Sequence, residues 1–166
     1  MSLLALPETK YISIKLFQED HVTSRATIDG FVTQKKLALV RASRNKPIRG
    51  VSIDKELKSR GYDVSVVYLA DDGPGSKLSD LKEPVGGVII AVPPGQTEKA
   101  ILQAADAKIP RVWMQKGSES AAAVQLCREK GISAIDGQCI MMFAEPVRSF
   151  HAFHRGVLKL FGKLPN

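Results

Sequence analysis

Hydrophobic and polar positions divide the chain into short apolar runs separated by polar, turn-rich segments. Leu37-Ala38-Leu39-Val40 carries no polar alternation, which suits a strand buried on both faces of a parallel sheet. Further strands are expected at 64–69, 85–92, 111–115 and 132–136. Between them the apolar spacing changes to three and four residues. Ile48 to Arg60 reads as a helix with Gly50, Ile53 and Leu57 at that spacing, and Gly61 ends it. A second helix from Gln96 to Lys108 turns Ile101, Ala104 and Ala105 toward the sheet. A third, with Ser118 as its cap, buries Ala123, Leu126 and Cys127 before Gly131 stops it.

Strands that alternate with helices in this way predict an α/β protein. The expected fold is a Rossmann-like three-layer sandwich: one parallel sheet of about five strands, helices on both faces, right-handed crossovers and the strand order 3-2-1-4-5. Residues 35–145 hold these elements. Residues 1–34 form an N-terminal extension packing on the domain, in which Ser24 caps a short helix with Ile28, Phe31 and Val32 on one face. Its expected task is to cover an end or edge of the sheet, while Tyr11 to Phe17 reads as a strand or a partner-binding arm. Residues 146–166 are expected to add an amphipathic helix to the same domain. Phe150, Phe153, Val157 and Leu160 make its apolar stripe, and Arg148, His151, Arg155 and Lys159 a basic one.

Charge adds a location to this frame. The 166-residue chain carries a net charge of +7, and between Lys35 and Arg60 nine basic residues face two acidic ones, so the local excess equals that of the whole protein. The turn Arg41-Ala42-Ser43-Arg44-Asn45-Lys46-Pro47 leads into a helix N-terminus, where unpaired N–H groups and the dipole favour an anion. Phosphate binding at this turn is the specific expectation, and a solvated basic surface is the alternative. The same stretch contains no aromatic residue, which argues against the common modes of nucleic-acid binding. The two cysteines, Cys127 and Cys139, make neither a disulfide scaffold nor a metal set. No apolar stretch reaches membrane-spanning length, so the expected setting is soluble and cytoplasmic.

Asp71 follows the second strand, where an acidic residue of a dinucleotide fold accepts hydrogen bonds from ribose; a turn aspartate bonding its own backbone is the alternative. Thr97 lies in the first turn of the second long helix, facing a ligand or capping the helix.

Four phrases occur in order at matching spacing: Leu39-Val40-Arg41-Ala42-Ser43-Arg44-Asn45, Gly61-Tyr62-Asp63-Val64, Val112-Trp113-Met114-Gln115-Lys116-Gly117 and Gly137-Gln138-Cys139-Ile140-Met141. Together they resemble the small single-domain bacterial CoA-binding proteins, which are similar to the CoA-binding domain of the succinyl-CoA synthetase alpha subunit. The resemblance implies CoA or acyl-CoA held across the carboxyl ends of the strands. It places Ala42, Ser43, Arg44, Asn45 and Lys46 around the diphosphate and phosphorylated ribose, with Arg41 where the family usually has glycine. It also sets Leu69 to Asp71 beside the adenosine, Val92, Pro93, Pro94 and Thr97 on the other side of the crevice, and Gln115, Lys116 and Gly117 toward the pantetheine arm. Cys139 matches the family's cysteine after the fifth strand. Arg41 and Val92-Pro93-Pro94-Gly95 both depart from the family pattern.

The ligase relatives work through a phosphohistidine on a further domain, whereas His21, His151 and His154 all lie outside the strand-rich region. Acyl-CoA ligase activity is therefore not expected. The first expectation is non-catalytic binding of CoA or an acyl-CoA as a small-molecule nucleotide ligand. The alternatives are an NAD-type or other adenine-nucleotide binder with oxidoreductase activity, against which the missing G-x-G-x-x-G counts, and an interaction protein that has lost its ligand. For Cys139 the readings are a mixed disulfide with the CoA thiol or a buried corner residue. Phe150 and Phe153 at a subunit contact would indicate a homodimer.

Overall fold

The computed structural model describes residues 23–44, 52–69, 77–146 and 156–157. The expectations for residues 1–22 and most of the C-terminal helix lie outside these. Five strands, β1 (Lys36–Arg41), β2 (Asp63–Tyr68), β3 (Gly87–Ala91), β4 (Arg111–Gln115) and β5 (Ser133–Gln138), make one parallel sheet. Among the described residues, these helices flank it: α1 (Arg25–Val32), α2 (Ile53–Ser59), α3 (Pro94–Asp106) and α4 (Ala121–Glu129). Two single turns of 3-10 helix, Leu78–Asp80 and Ile140–Met142, complete the order. The Rossmann-like α/β sandwich expected from the pattern is therefore present.

The strand order is 2-1-3-4-5, not 3-2-1-4-5. The reason is visible in the polarity of the strands. β2 exposes Asp63 and Ser65 on either side of buried Val64, a pattern suited to an edge. In β3, Gly87, Val88, Ile89 and Ile90 are all buried, and at an edge part of that run would face water. β3 therefore pairs with β1 in the interior and leaves β2 outside.

Alternation along the strands sends side chains to two cores. Ala38, Val40, Val88, Ile90, Val112 and Met114 pack with Ala100, Ile101 and Ala104 of α3 and Ala123 and Cys127 of α4. Leu37, Leu39, Ile89, Trp113 and Ile135 pack on the opposite face with Ile28 and Phe31 of α1, Ile53 and Leu57 of α2, and the segment Ile140–Ala144. Ser24 caps α1 by accepting the Thr27 N–H at 3.1 Å. The helix covers this face rather than an end or edge, since Phe31 meets Trp113 edge-on with ring centroids 5.4 Å apart. Its approach depends on Gly87, where a Cβ would sit 2.6 Å from the Phe31 ring.

At α4 the cap is Ser120, whose hydroxyl accepts the Ala123 N–H at 3.1 Å. Ser118, the expected cap, is buried two residues earlier and serves another purpose described below. Cys127 is a core residue, as its position on the helix stripe indicated. Burial, with the Asp136 carboxylate adding to it, pushes its thiol from the ordinary 9.0 up to about 11. Since the folded state keeps this proton longer, the contribution is complete below pH 9 and is lost as pH rises toward 11. Two results should follow. Urea midpoints should fall across that interval by more than in Cys127→Ala, and at pH 8 a thiol reagent should modify Cys127 only after unfolding. Fast labelling of Cys127 in the native protein would contradict its place in the core.

Candidate functional site

The strand order reverses between β1 and β3. From β1 the chain passes to α2 on one face, and from β3 to α3 on the other. In an open α/β sheet such a reversal leaves a crevice at the carboxyl ends of the strands, the usual place for a ligand. The turn after β1 and the Val92-Pro93-Pro94 segment after β3 border it, so the corrected order puts the two expected sides of the site next to each other.

Arg41 is the last residue of β1, paired in register with Tyr68 at the end of β2. Period two sends both side chains to the α2 face, in line with Leu39 and Val66. The Arg41 guanidinium lies 5.9 Å and that of Arg44 4.7 Å from the centre of the Tyr68 ring. Arg41 Nε is buried and has no hydrogen-bond partner among the described residues. An unmet N–H of a charged group costs about 1–3 kcal/mol, a penalty that an anion would relieve. Asp54, in the first turn of α2, feels this charge. Burial works against its carboxylate, but the hydrogen bonds from Ser52 and from its own N–H, with the charges of Arg41 and Lys58, hold its pKa below the ordinary value.

Around this centre the expected residues divide by exposure. Arg44 is exposed, and Ala42 and Ser43 are half-buried; Asn45, Lys46 and Asp71 lie outside the described residues. Leu69 is buried in the α3 and α4 core, its N–H donating to the Arg41 carbonyl at 2.9 Å and its carbonyl accepting from Lys99 Nζ at 3.2 Å. Val92 and Thr97 are buried as well. Ser118 joins them: its hydroxyl accepts the Val92 N–H at 3.2 Å, and its carbonyl accepts the Thr97 hydroxyl at 2.5 Å. These three residues fix the start of α3 to the β4–α4 turn and shape the crevice wall from behind. Pro93 and Pro94 are exposed in front of it.

Gln115 ties the end of β4 to the segment after β5. Its Oε1 accepts the Ile140 N–H at 3.1 Å, which orients the amide so that Nε2 donates to Cys139 Sγ at 3.0 Å. The carboxamide is thus engaged within the protein, and Cys139 is half-buried beside it. Lys116 and Gly117 are exposed at the adjoining turn. The Lys116 N–H donates to the Gln138 carbonyl at 3.1 Å, and Gly117 has φ +94°, a conformation that suits glycine.

The basic excess read along the sequence is not one patch in space. β1 spans six residues, which separates its ends by roughly 16 Å at the usual strand rise. At its amino end Lys36 pairs with Glu83, and Lys35 lies 4.0 Å from the Tyr62 ring centre. Arg60 is buried beyond the far end of α2. Arg41 and Arg44 are the described basic residues of that stretch beside the crevice. Tyr68 was not among the expected residues; its period-two relation to Val64 and Val66 indicates the α2 face, and the register of β1 with β2 sets it opposite Arg41.

A model of the family described as CoA binding domain matches residues 35–145. The chain belongs to that family. Among solved structures, this CoA-binding domain protein is similar to a conserved hypothetical protein from Pyrococcus furiosus, at 29% identity and TM-score 0.55 over 64% of this chain and 96% of that one. It is also similar to a hypothetical protein from Pyrococcus horikoshii OT3, at 25% identity and TM-score 0.64 over 78% and 94%. A Thermus thermophilus protein at 22% identity and TM-score 0.59, over 75% and 96%, shares the fold. No curated protein matches the chain. For a CoA-binding domain the residues at the crevice are a fitting set, because two guanidiniums and a buried N–H without a partner among the described residues suit a ligand with several phosphate charges. Among the described residues no helix is long and apolar enough to cross a membrane.

Proposed function

We propose that the protein binds CoA or an acyl-CoA, as a binding module and not as a ligase, through the basic turn after β1. Residues 35–145 are the binding unit, and the segments on either side belong to the same domain. The observation that carries this reading is the pair of arginines close to the Tyr68 ring at the carboxyl ends of β1 and β2, with Arg41 Nε buried and without a partner among the described residues. The diphosphate belongs at the N-terminus of the helix after β1 and the adenosine beyond β2, while the pantetheine arm runs past Pro93-Pro94 toward Lys116, Gly117 and Cys139. Asn45, Lys46 and Asp71 complete the proposed set.

The direct test is calorimetric titration with CoA, acetyl-CoA, NAD and ATP under reducing conditions. CoA or acetyl-CoA is expected to bind more tightly than NAD and ATP. Arg44→Ala should then weaken CoA by about 1.5–3 kcal/mol, the value of a charge-assisted hydrogen bond. Equal affinity in wild type and variant would remove Arg44 from the site, and preference for NAD would support an adenine-nucleotide binder of another kind.

A further inference from the structure

We infer that residues 11–17 lie along the outer edge of β5 as a sixth strand parallel to it, so that α1 is the helix of a crossover running from outside β5 to β1. The inference concerns the edge of the sheet farthest from β2 and is independent of the ligand proposed for the crevice.

The place where the chain enters α1 is the first reason. Among the described strands β5 pairs with β4 alone, so its other side is an edge. The Ser133 N–H donates inward to the Pro110 carbonyl at 3.0 Å, and successive backbone groups alternate, so those of Ala134 point outward. Thr23 stands on that side. Its hydroxyl donates to Asp136 Oδ1 at 3.1 Å, and the Asp136 N–H reaches the same hydroxyl oxygen at 3.5 Å. Six Cα steps from Phe17 to Thr23 span at most about 21 Å. A strand added beyond β2 would stand five strand spacings from β5, about 24 Å. The segment therefore reaches the β5 edge and not the β2 edge. Handedness is the second reason. From β1 the chain crosses the α2 face toward β2, and from β3 it crosses the opposite face toward β5. α1 lies on the α2 face, starts beside Asp136 toward the carboxyl end of β5, and ends where the Val32 carbonyl accepts the Tyr62 hydroxyl at 2.7 Å, at the amino end of the sheet. That course moves the chain in the direction of the β1–α2–β2 crossover. A parallel strand outside β5, followed by α1, is thus a right-handed crossover. Chemistry is the third. Ile12, Ile14 and Leu16 alternate with Ser13 and Lys15, the period of a strand with one buried side. β5 is also the edge that needs cover, since Ala134 and Ile135 are buried, whereas β2 turns Asp63 and Ser65 to water.

The test follows backbone amide exchange by NMR in the full chain at two protein concentrations, with the mass measured by light scattering. The variants are Ile12→Ser combined with Ile14→Ser, and the single changes Ser13→Pro and Ile14→Pro; circular dichroism and thermal melting check that each is folded. In wild type the Ala134 amide and alternate amides of residues 11–17 should exchange slowly. The double serine variant should speed Ala134 at least about 10-fold while leaving the Ile90 amide of interior β3 unchanged. Neighbouring N–H groups point to opposite sides of a strand, so one of the two proline variants should speed Ala134 and the other should be tolerated. Rapid exchange throughout residues 11–17 in wild type overturns the inference, as does an Ala134 rate that the double serine variant leaves unchanged. Equal effects of the two prolines overturn the strand pairing. Ala134 protection that grows with concentration and accompanies a dimer also overturns it, and gives the edge to a second copy of the chain.

Discussion

Arg60→Ala is expected to destabilise the protein by about 2–4 kcal/mol, because it leaves two buried carbonyls without a donor and breaks an ion pair whose Glu56 end is half-buried. The Arg60 side chain is wholly buried at the end of α2. Its Nη2 and Nε donate to Glu56 Oε1 at 2.6 and 3.0 Å, and its Nη1 donates to the carbonyls of Met141 and Ala144 at 2.9 and 2.7 Å. One guanidinium thus joins helix α2 to the segment that closes the α1 and α2 face of the sheet. Alanine would leave a carboxylate and two buried carbonyls without their donor. Arg60→Lys should recover little, because a single ammonium lacks the fork that reaches both sides. Urea denaturation with the two variants checks this. A loss below about 1 kcal/mol for alanine would mean that water replaces the guanidinium at no great cost.

The same residue shows where the sequence misleads. Arg60 contributes to the basic excess that pointed to an anion site, but its charge is neutralised inside the protein, some distance from the crevice. Counting charges along a chain treats neighbours in sequence as neighbours in space, and a strand and a helix carry them to opposite ends of the sheet. What was legible followed from periodicity. Apolar runs located five strands, and three- and four-residue spacing located the helices, except that the helix expected from Ile48 starts only at Ile53, after an extended Ser52, so the basic turn does not lead straight into it. Gly61 and Gly131 follow two of the helices with positive φ. The expected strand order was wrong, although the polar Asp63 and Ser65 of β2 mark it as the strand that tolerates water on one face. The Ser118 bridge and the amide of Gln115 were not legible, since each depends on contacts between turns far apart in the sequence. Local pattern gives elements, and only packing gives the wall of a site.

Trp113→Ala is expected to cost about 3–5 kcal/mol and to weaken ligand binding along with stability. Trp113 sits on β4 with no solvent exposure, between Phe31 at 5.4 Å and Phe143 at 5.7 Å. It therefore joins α1, the central sheet and the segment after β5 in one aromatic cluster. Its Nε1 donates to the Gln138 carbonyl at 3.1 Å, one residue before Cys139, so the cavity left by alanine would open beside the wall that Gln115 holds. Trp113→Phe separates the two contributions. The Gln138 carbonyl keeps its bond from the Lys116 N–H, so that variant should lose only about 1–2 kcal/mol and retain binding. A double-mutant cycle with Phe31→Leu should show about 0.5–1.5 kcal/mol of coupling, the value of an edge-on aromatic pair beyond its buried area. If Phe31→Leu and Trp113→Ala were additive, α1 would be packing on the sheet independently of Trp113. The aromatic cluster would then support the fold without linking the N-terminal helix to the crevice wall.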